Sequence, residues 1–219
     1  MKEDNIVQVP KSKIFQDLVE YSKLPPRLVA ARCKYAVYEL AIQWHYKKNI
    51  EDFYKNSEMY IYDLTQYQIL LESHNHIKKM INQIKKLKLS RILEYGGGIG
   101  EFSLLCHENR LKITYYDING VIKKYALWRF RKHMANRIDI AKQDTLNKKW
   151  DIVNIMDVLE HLENPSKIIK KLNLNARYIF CNPNQIKFNF IYPQHISKYN
   201  IKKDFEHVET YLWKNKKIK

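Results

Sequence analysis

Four of the five glycines in this 219-residue chain fall at positions 96, 97, 98 and 100, within Arg91-Ile-Leu-Glu-Tyr-Gly-Gly-Gly-Ile-Gly100. Glycine is needed where the backbone takes a positive φ or where another molecule lies against the main chain. A chain this poor in glycine therefore has a local reason to concentrate it. Ile92-Leu93 before the turn reads as the end of a buried strand, and Phe102-Ser-Leu-Leu-Cys106 after it reads as the start of a helix. A glycine turn between strand and helix is where open α/β sheets bind their ligands.

The spacing narrows the ligand. A dinucleotide fingerprint, Gly-x-Gly-x-x-Gly, would need a third glycine at 101, where Glu101 stands. The pattern is instead Glu94-x-Gly96-x-Gly98-x-Gly100, with an acid at the end of the strand. A carboxylate there repels phosphate and attracts an ammonium group. A second strand, Ile113-Thr-Tyr-Tyr, ends in Asp117, and an acid roughly 20 residues beyond the glycine turn is placed to accept both ribose hydroxyls of an adenosine. A third segment, Trp150-Asp-Ile-Val-Asn-Ile-Met, runs into Asp157-Val-Leu-Glu-His161 and then Pro165.

These three motifs, in this order, resemble class I S-adenosylmethionine (SAM)-dependent methyltransferases, and the last resembles the small-molecule, ubiquinone-biosynthesis type. The resemblance covers about residues 89–184. It implies a Rossmann-like α/β sheet with helices on both faces, SAM as cofactor and S-adenosylhomocysteine as product. It also implies that Glu94, Tyr95, Gly96, Gly98 and Gly100 hold the aminocarboxypropyl part of the donor, with Gly97 supplying extra room. Asp117 takes the ribose, with Ile118 beside it in the cofactor site. Asp144, just after the third strand, either lies near the adenine amino group or is an ordinary loop carboxylate.

Asp157 has two readings. Asp157-x-x-Glu160 has the shape of a capping box, so Asp157 either caps a short helix or belongs to the cofactor site, with this turn beneath the methyl donor. His161 is correspondingly either a structural histidine or a general base, since an imidazole with a pKa of ~6.5 suits proton removal near neutrality. His195, in Tyr192-Pro-Gln-His195, is a second base candidate on the same rim. Asn182, after the fifth strand, either orients the acceptor or makes a plain turn. Tyr54 and Tyr60 lie in a helical stretch ahead of the sheet, and either close over the sulfonium as a lid or pack between helices.

The apolar pattern divides the chain at residue 88. Helical spacing recurs over Arg27–Lys48, Asp63–Glu72 and near Ile77–Leu87, so residues 1–88 read as an all-helical cap or substrate region. Residues 1–24 have only weak periodicity. Residues 89–219 alternate strand and helix: strands 91–95, 111–116, 137–141, 151–156 and 176–181, helices near 98–108, 120–136 and 165–173. About nine residues separate the third and fourth strands, too few for a crossover helix. The last 35 residues leave room for a shortened C-terminal part and a reduced sheet, with Glu206–Trp213 as its last strand.

Composition removes several classes. No apolar run nears the ~18 residues of a membrane span, and the N-terminus lacks a signal-peptide core, so the chain is expected to be cytoplasmic. Cys33, Cys106 and Cys181 form neither a disulfide framework nor a zinc motif. His74 and His76, two apart on a helix, point different ways, and no metal site is indicated. The formal charge of +16 invites a nucleic-acid partner, yet lysine supplies 31 of the 39 basic residues and is dispersed, whereas phosphate recognition favours arginine. The leading expectation is methyl transfer to the O, N or C of a small molecule by in-line displacement. Alternatives are an RNA or protein methyltransferase using the basic surface, and a SAM-binding scaffold without activity. The sequence leaves the oligomeric state open.

Overall fold

The computed structural model describes residues 8–47, 49–73, 75–142, 145–182 and 192–218. Seven strands form one sheet: β1 (Ile92–Tyr95), β2 (Ile113–Tyr116), β3 (Ile138–Ile140), β4 (Trp150–Asn154), β5 (Ala176–Phe180), β6 (Phe205–Glu209) and β7 (Leu212–Asn215). Their order is β3-β2-β1-β4-β5-β7-β6. The first five strands are parallel, and β7 runs antiparallel to both β5 and β6. The order reverses between β1 and β4, and the carboxyl ends of strands at such a switch point form the binding crevice of an open α/β sheet. The glycine turn leaves the end of β1, and the Asp157–His161 turn follows β4.

Successive side chains of a strand face opposite sides of a sheet, and both sides here are covered, so most residues of the central strands are apolar, with Glu94 and Asn154 as buried polar residues at the carboxyl ends of β1 and β4. On one face Ile92, Ile113, Ile152 and Tyr178 pack with Met80, Ile81 and Ile84 of α5 (His76–Lys86) and with Phe102 and Cys106 of α6 (Glu101–Glu108). On the other face Leu93, Val153 and Ile179 pack with Ile169 and Leu172 of α8 (Pro165–Asn175) and with Trp213. Thus α5, on the cap side of the expected boundary at 88, shares the core of the sheet.

The remaining helices are α1 (Lys13–Ser22), α2 (Pro26–His45), α3 (Ile50–Asn56), α4 (Met59–Ser73) and α7 (Val121–Lys132). Helices α1 to α4 enclose an apolar cluster that continues into Ile99 and into Ile122 and Tyr125 of α7. A buried ionic joint fixes α1 to α7. The Arg129 guanidinium donates to Asp17 at 2.9 Å, to Glu101 at 2.5 Å and to the Ile99 carbonyl at 2.9 Å, and His133 and Lys132 also reach Asp17. Gly120 lets the chain approach α3 closely, since a Cβ there would lie 2.6 Å from the Lys55 carbonyl oxygen.

Several elements differ from the sequence reading. Within the helical residues 1–88, α1 and α3 are additional to the three stretches of helical spacing in the sequence. Helix α1 owes its place to tertiary burial of Ile14, Phe15 and Leu18. Helix α3 starts at a cap legible in the sequence, where Asn49 Oδ1 accepts from the Asp52 N–H at 2.8 Å and Glu51 and Asp52 fill the first turn. The sheet is not reduced: Glu206–Trp213 is no single strand but parts of a hairpin, turning at Thr210 (φ 46°), that completes seven strands. The link from β3 to β4 carries no α-helix among the described residues, as expected, only a 3₁₀ turn at Thr145–Asn147. All three cysteines are buried and unpaired. No helix of the described residues is long and apolar enough to cross a membrane.

Candidate active site

The glycine turn is held open by backbone geometry. Gly96, Gly98 and Gly100 have φ of 71°, 53° and 75°, in the left-handed region that side chains disfavour. The N–H groups of Gly96 and Gly97 donate to the Tyr116 carbonyl at 2.9 and 3.0 Å, tying the turn to the end of β2. Gly97 corrects an expectation, because its space is not open to a ligand. A Cβ there would lie 2.4 Å from the Tyr115 ring and 2.9 Å from the Glu94 carboxyl carbon, so the missing side chain admits Tyr115. The Tyr115 hydroxyl then donates to the Gly98 carbonyl at 2.6 Å.

Two acids meet at this turn. Glu94 is buried, and its carboxylate accepts a hydrogen bond from the Ser103 hydroxyl. Burial, with the negative charges of Asp117 and Glu101 adding to it, pushes its pKa up to about 8. Asp117 accepts from the Gly98 N–H at 2.6 Å, and burial raises its pKa to about 6 against the opposing pull of the Gly98 and Ile118 amides. Neither acid forms a salt bridge among the described residues. Such a pair resists another anion and accepts a cation or a set of hydroxyl donors. Tyr95 stacks on Tyr116, ring centroids 4.8 Å apart, and Ile118 is exposed beside Asp117.

The turn after β4 lies against the first. A Cβ on Gly96 would lie 2.6 Å from Val158, so Val158 packs directly on the glycine turn. The capping reading of Asp157 is not realised. Val158 stands at the N-cap of the 3₁₀ turn Leu159–His161 with no side-chain cap bond, and Asp157 itself has φ 53°. Its carboxylate instead accepts from the Tyr67 hydroxyl at 2.7 Å and from the Asn182 amide at 3.3 Å. Asp157 thereby links α4 of the cap to the rim beyond β5.

His161 is held from three sides. Its Nδ1 lies 2.9 Å from the Tyr54 hydroxyl and 3.2 Å from the Gln194 carbonyl, and its ring meets that of His195 at 4.8 Å between centroids. Burial, together with His195, lowers its pKa to about 3. The basicity near 6.5 expected of it does not hold at this position: the imidazole is neutral at neutrality and a weaker base than a free histidine. Buried His195 is stacked under Tyr192, centroids 5.3 Å apart.

Of the residues expected in the cap, Tyr54 reaches the site and Tyr60 does not reach it directly. Tyr60 is buried within the helical cluster, its ring 5.6 Å from that of Tyr54. Asp144 lies outside the described residues, as does His74 of the expected non-site pair. The structure adds Leu64, whose side chain would lie 3.0 Å from a Cβ on Gly98, together with Tyr67, Ser103 and Glu160. Tyr67 is half-buried on α4, and its hydroxyl finds a partner in Asp157, as tyrosine hydroxyls in such positions usually do. A cavity of about 750 Å³ opens elsewhere, on the outer side of the cap, lined by Arg32, Glu39, Gln43, Lys47 and Asp52, and touches neither turn.

Against known proteins, the family described as methyltransferase domain matches residues 64–184. No curated protein matches the chain. Among solved structures, the methyltransferase domain of a bacterial Hen1 is similar at 18% identity over 52% of this chain and 67% of that one, with a TM-score of 0.44. Magnesium protoporphyrin IX methyltransferase from Synechocystis PCC 6803, with bound S-adenosylhomocysteine, is 21% identical over 54% of this chain and 59% of its own, with a TM-score of 0.46. The YcgJ protein of Bacillus subtilis is 13% identical over 49% and 50%, with a TM-score of 0.43.

Proposed function

We propose, from the premise that this chain belongs to the methyltransferase-domain family, that it transfers a methyl group from SAM to a small-molecule acceptor by in-line displacement. The observation that carries this reading is the acid pair, buried Glu94 and half-buried Asp117, flanking a turn with three left-handed glycines at the ends of β1 and β2. Without a salt-bridge partner among the described residues, the pair fits a ligand that brings an ammonium and hydroxyls and no phosphate. SAM has these groups, so the residues present fit it. Once bound, it supplies a methyl group already activated on a sulfonium.

The chain's own residues then contribute position and enclosure. Glu94 takes the ammonium, and its ionisation is restored by that charge. Asp117 takes the ribose hydroxyls, with Ile118 beside it, and the glycine turn lets the donor lie against the backbone. Helix α4 covers the turn through Leu64 and is tied down by the Tyr67–Asp157 bond, while Tyr54 reaches His161. Holding reactants in register and excluding water accounts for much of the rate in a transfer from an activated donor. Cap contacts over both turns favour a small acceptor over a long polymer. His161 and His195 line the acceptor end of the site.

The test is transfer of labelled methyl from SAM to a panel of hydroxylated, amino and carbon-nucleophile small molecules, with total RNA and a protein extract in parallel. Label in a small molecule supports the reading. Label in RNA, with binding that weakens steeply as salt rises, moves the acceptor to nucleic acid. SAM binding without transfer to any acceptor leaves a scaffold and overturns the enzymatic proposal.

A further inference from the structure

Glu160, His161 and His195 each turn one potential ligand atom toward a common space, and those three atoms lie within 4.8 Å of one another. Atoms bound to one tetrahedral ion at ~2.0–2.2 Å lie about 3.4 Å apart, so side-chain rotation that draws the atoms about 1.4 Å closer closes the set. Two further observations point to a ligand. Glu160 is 2% exposed, and its Oε2 is buried with no hydrogen-bond partner among the described residues. A buried carboxylate oxygen left so is costly unless something else satisfies it.

The second observation concerns which nitrogen His161 offers. With the proton on Nδ1, the ring donates to the Gln194 carbonyl at 3.2 Å, which can only accept, and to the Tyr54 hydroxyl oxygen at 2.9 Å, and the Nε2 lone pair is left to coordinate. Imidazoles that bind metals are oriented in this way, one N–H given to a carbonyl and the other nitrogen given to the ion. The two contributing segments are also locked together. The Ser197 N–H donates to the Glu160 carbonyl at 3.0 Å, and the Ser197 hydroxyl donates to the Leu162 carbonyl. The His195 loop is thereby fixed to the Glu160–His161 turn before any ion arrives.

We propose that Glu160, His161 and His195 bind one divalent transition-metal ion, and that this ion receives a hydroxyl oxygen of the methyl acceptor. Two imidazoles and one carboxylate suit Zn²⁺, Co²⁺, Fe²⁺ or Mn²⁺ better than Ca²⁺ or Mg²⁺, which prefer all-oxygen sites. Three protein ligands leave a coordination position open, the mark of a catalytic rather than a structural site. The ion acts as a Lewis acid on the acceptor hydroxyl. The O–H proton passes to solvent, an oxygen lone pair forms the new bond to the methyl carbon, the S–C bonding pair stays on sulfur, and S-adenosylhomocysteine leaves. This narrows the acceptor to a hydroxyl compound. The catalytic role rests on the methyltransferase reading above; the metal site does not.

The full chain, stripped with chelator, is titrated with Co²⁺ and followed by its visible ligand-field bands, with Zn²⁺ competition and Mn²⁺ binding by electron paramagnetic resonance. One ion per chain is expected. His195→Ala and Glu160→Gln should each weaken binding at least tenfold, while His207→Ala, an exposed histidine on β6 remote from the cluster, should leave it unchanged. S-adenosylhomocysteine affinity and melting temperature are measured on the same samples. A variant that folds and binds S-adenosylhomocysteine yet loses Co²⁺ supports the site. Wild-type protein that takes up none of the three ions, or variants that bind them as wild type does, overturns it. Failure of S-adenosylhomocysteine binding alone strikes the donor reading instead.

Discussion

Replacing Glu94 by glutamine should change how the protein's stability depends on pH. Glu94 is 4% exposed, and burial with the neighbouring acids raises its pKa from 4.5 to about 8. The folded state therefore keeps a proton on this carboxyl between pH 4.5 and 8 that the unfolded state releases. Stability falls with pH wherever the folded state holds more protons, so the wild type loses it as pH rises through this window. At about 1.4 kcal/mol per pH unit, the loss between pH 5 and pH 8 is about 3–4 kcal/mol. Glutamine has no proton to lose, fills the same space and can still accept from Ser103. Asp117 and Glu160, also raised by burial to about 6 and about 7, slope the same way in both proteins and cancel in the difference. The assay is melting temperature from pH 5 to 8 for wild type and Glu94→Gln without donor. At 2–4 °C per kcal/mol for a chain of this size, the two curves should diverge by roughly 10 °C, the variant staying flatter. Parallel curves would refute the argument that Glu94 is held protonated by burial.

Two other substitutions probe the frame around the site. Gly100→Ala meets a positive φ of 75° and the Phe130 ring, 2.5 Å from the new Cβ. Left-handed strain plus overpacking should cost about 3 kcal/mol, read as a lower denaturation midpoint with unchanged slope. Arg129→Met removes the cation from a joint whose Arg129 and Asp17 are each 1% exposed, and should cost about 3 kcal/mol, the low end for breaking a buried pair, because Lys132 and His133 still reach Asp17. Burial pushes Asp17 up, but bonds from His133 and the Arg129 charge outweigh it and leave its pKa below 3.8. That stabilisation is present above pH 3.8 and lost as pH falls below it, so the variant should lose less stability than wild type on acidification in that range. Equal acid sensitivity would show that Arg129 does not set Asp17.

The glycine turn was legible because its signal is local. Positive φ at Gly96, Gly98 and Gly100, the acid before them and Asp117 at the end of β2 all follow from residue type and spacing within 24 residues. The alternation of strand and helix was legible for the same reason. What the sequence withheld depends on distant partners. Helix α1 has Ile14, Phe15 and Leu18 at helical spacing, but at ten residues it is too short to stand alone and is held by burial against α2 and α7. Gly97 seemed to give room, yet the ring that fills it comes from Tyr115 on the next strand. Asp157-x-x-Glu160 had the form of a local cap, but Tyr67, 90 residues earlier, claims the Asp157 carboxylate. The depressed basicity of His161 likewise depends on His195, 34 positions on, and on burial that no spacing encodes.

The central claim, that the acids and glycines at the ends of β1 and β2 hold SAM, is tested most directly by calorimetric titration with S-adenosylhomocysteine. The wild type should bind one molecule per chain, and Asp117→Asn, which keeps the shape and removes the charge that accepts from ribose, should bind at least tenfold more weakly. No saturable binding, or an Asp117→Asn variant with wild-type affinity, would contradict it.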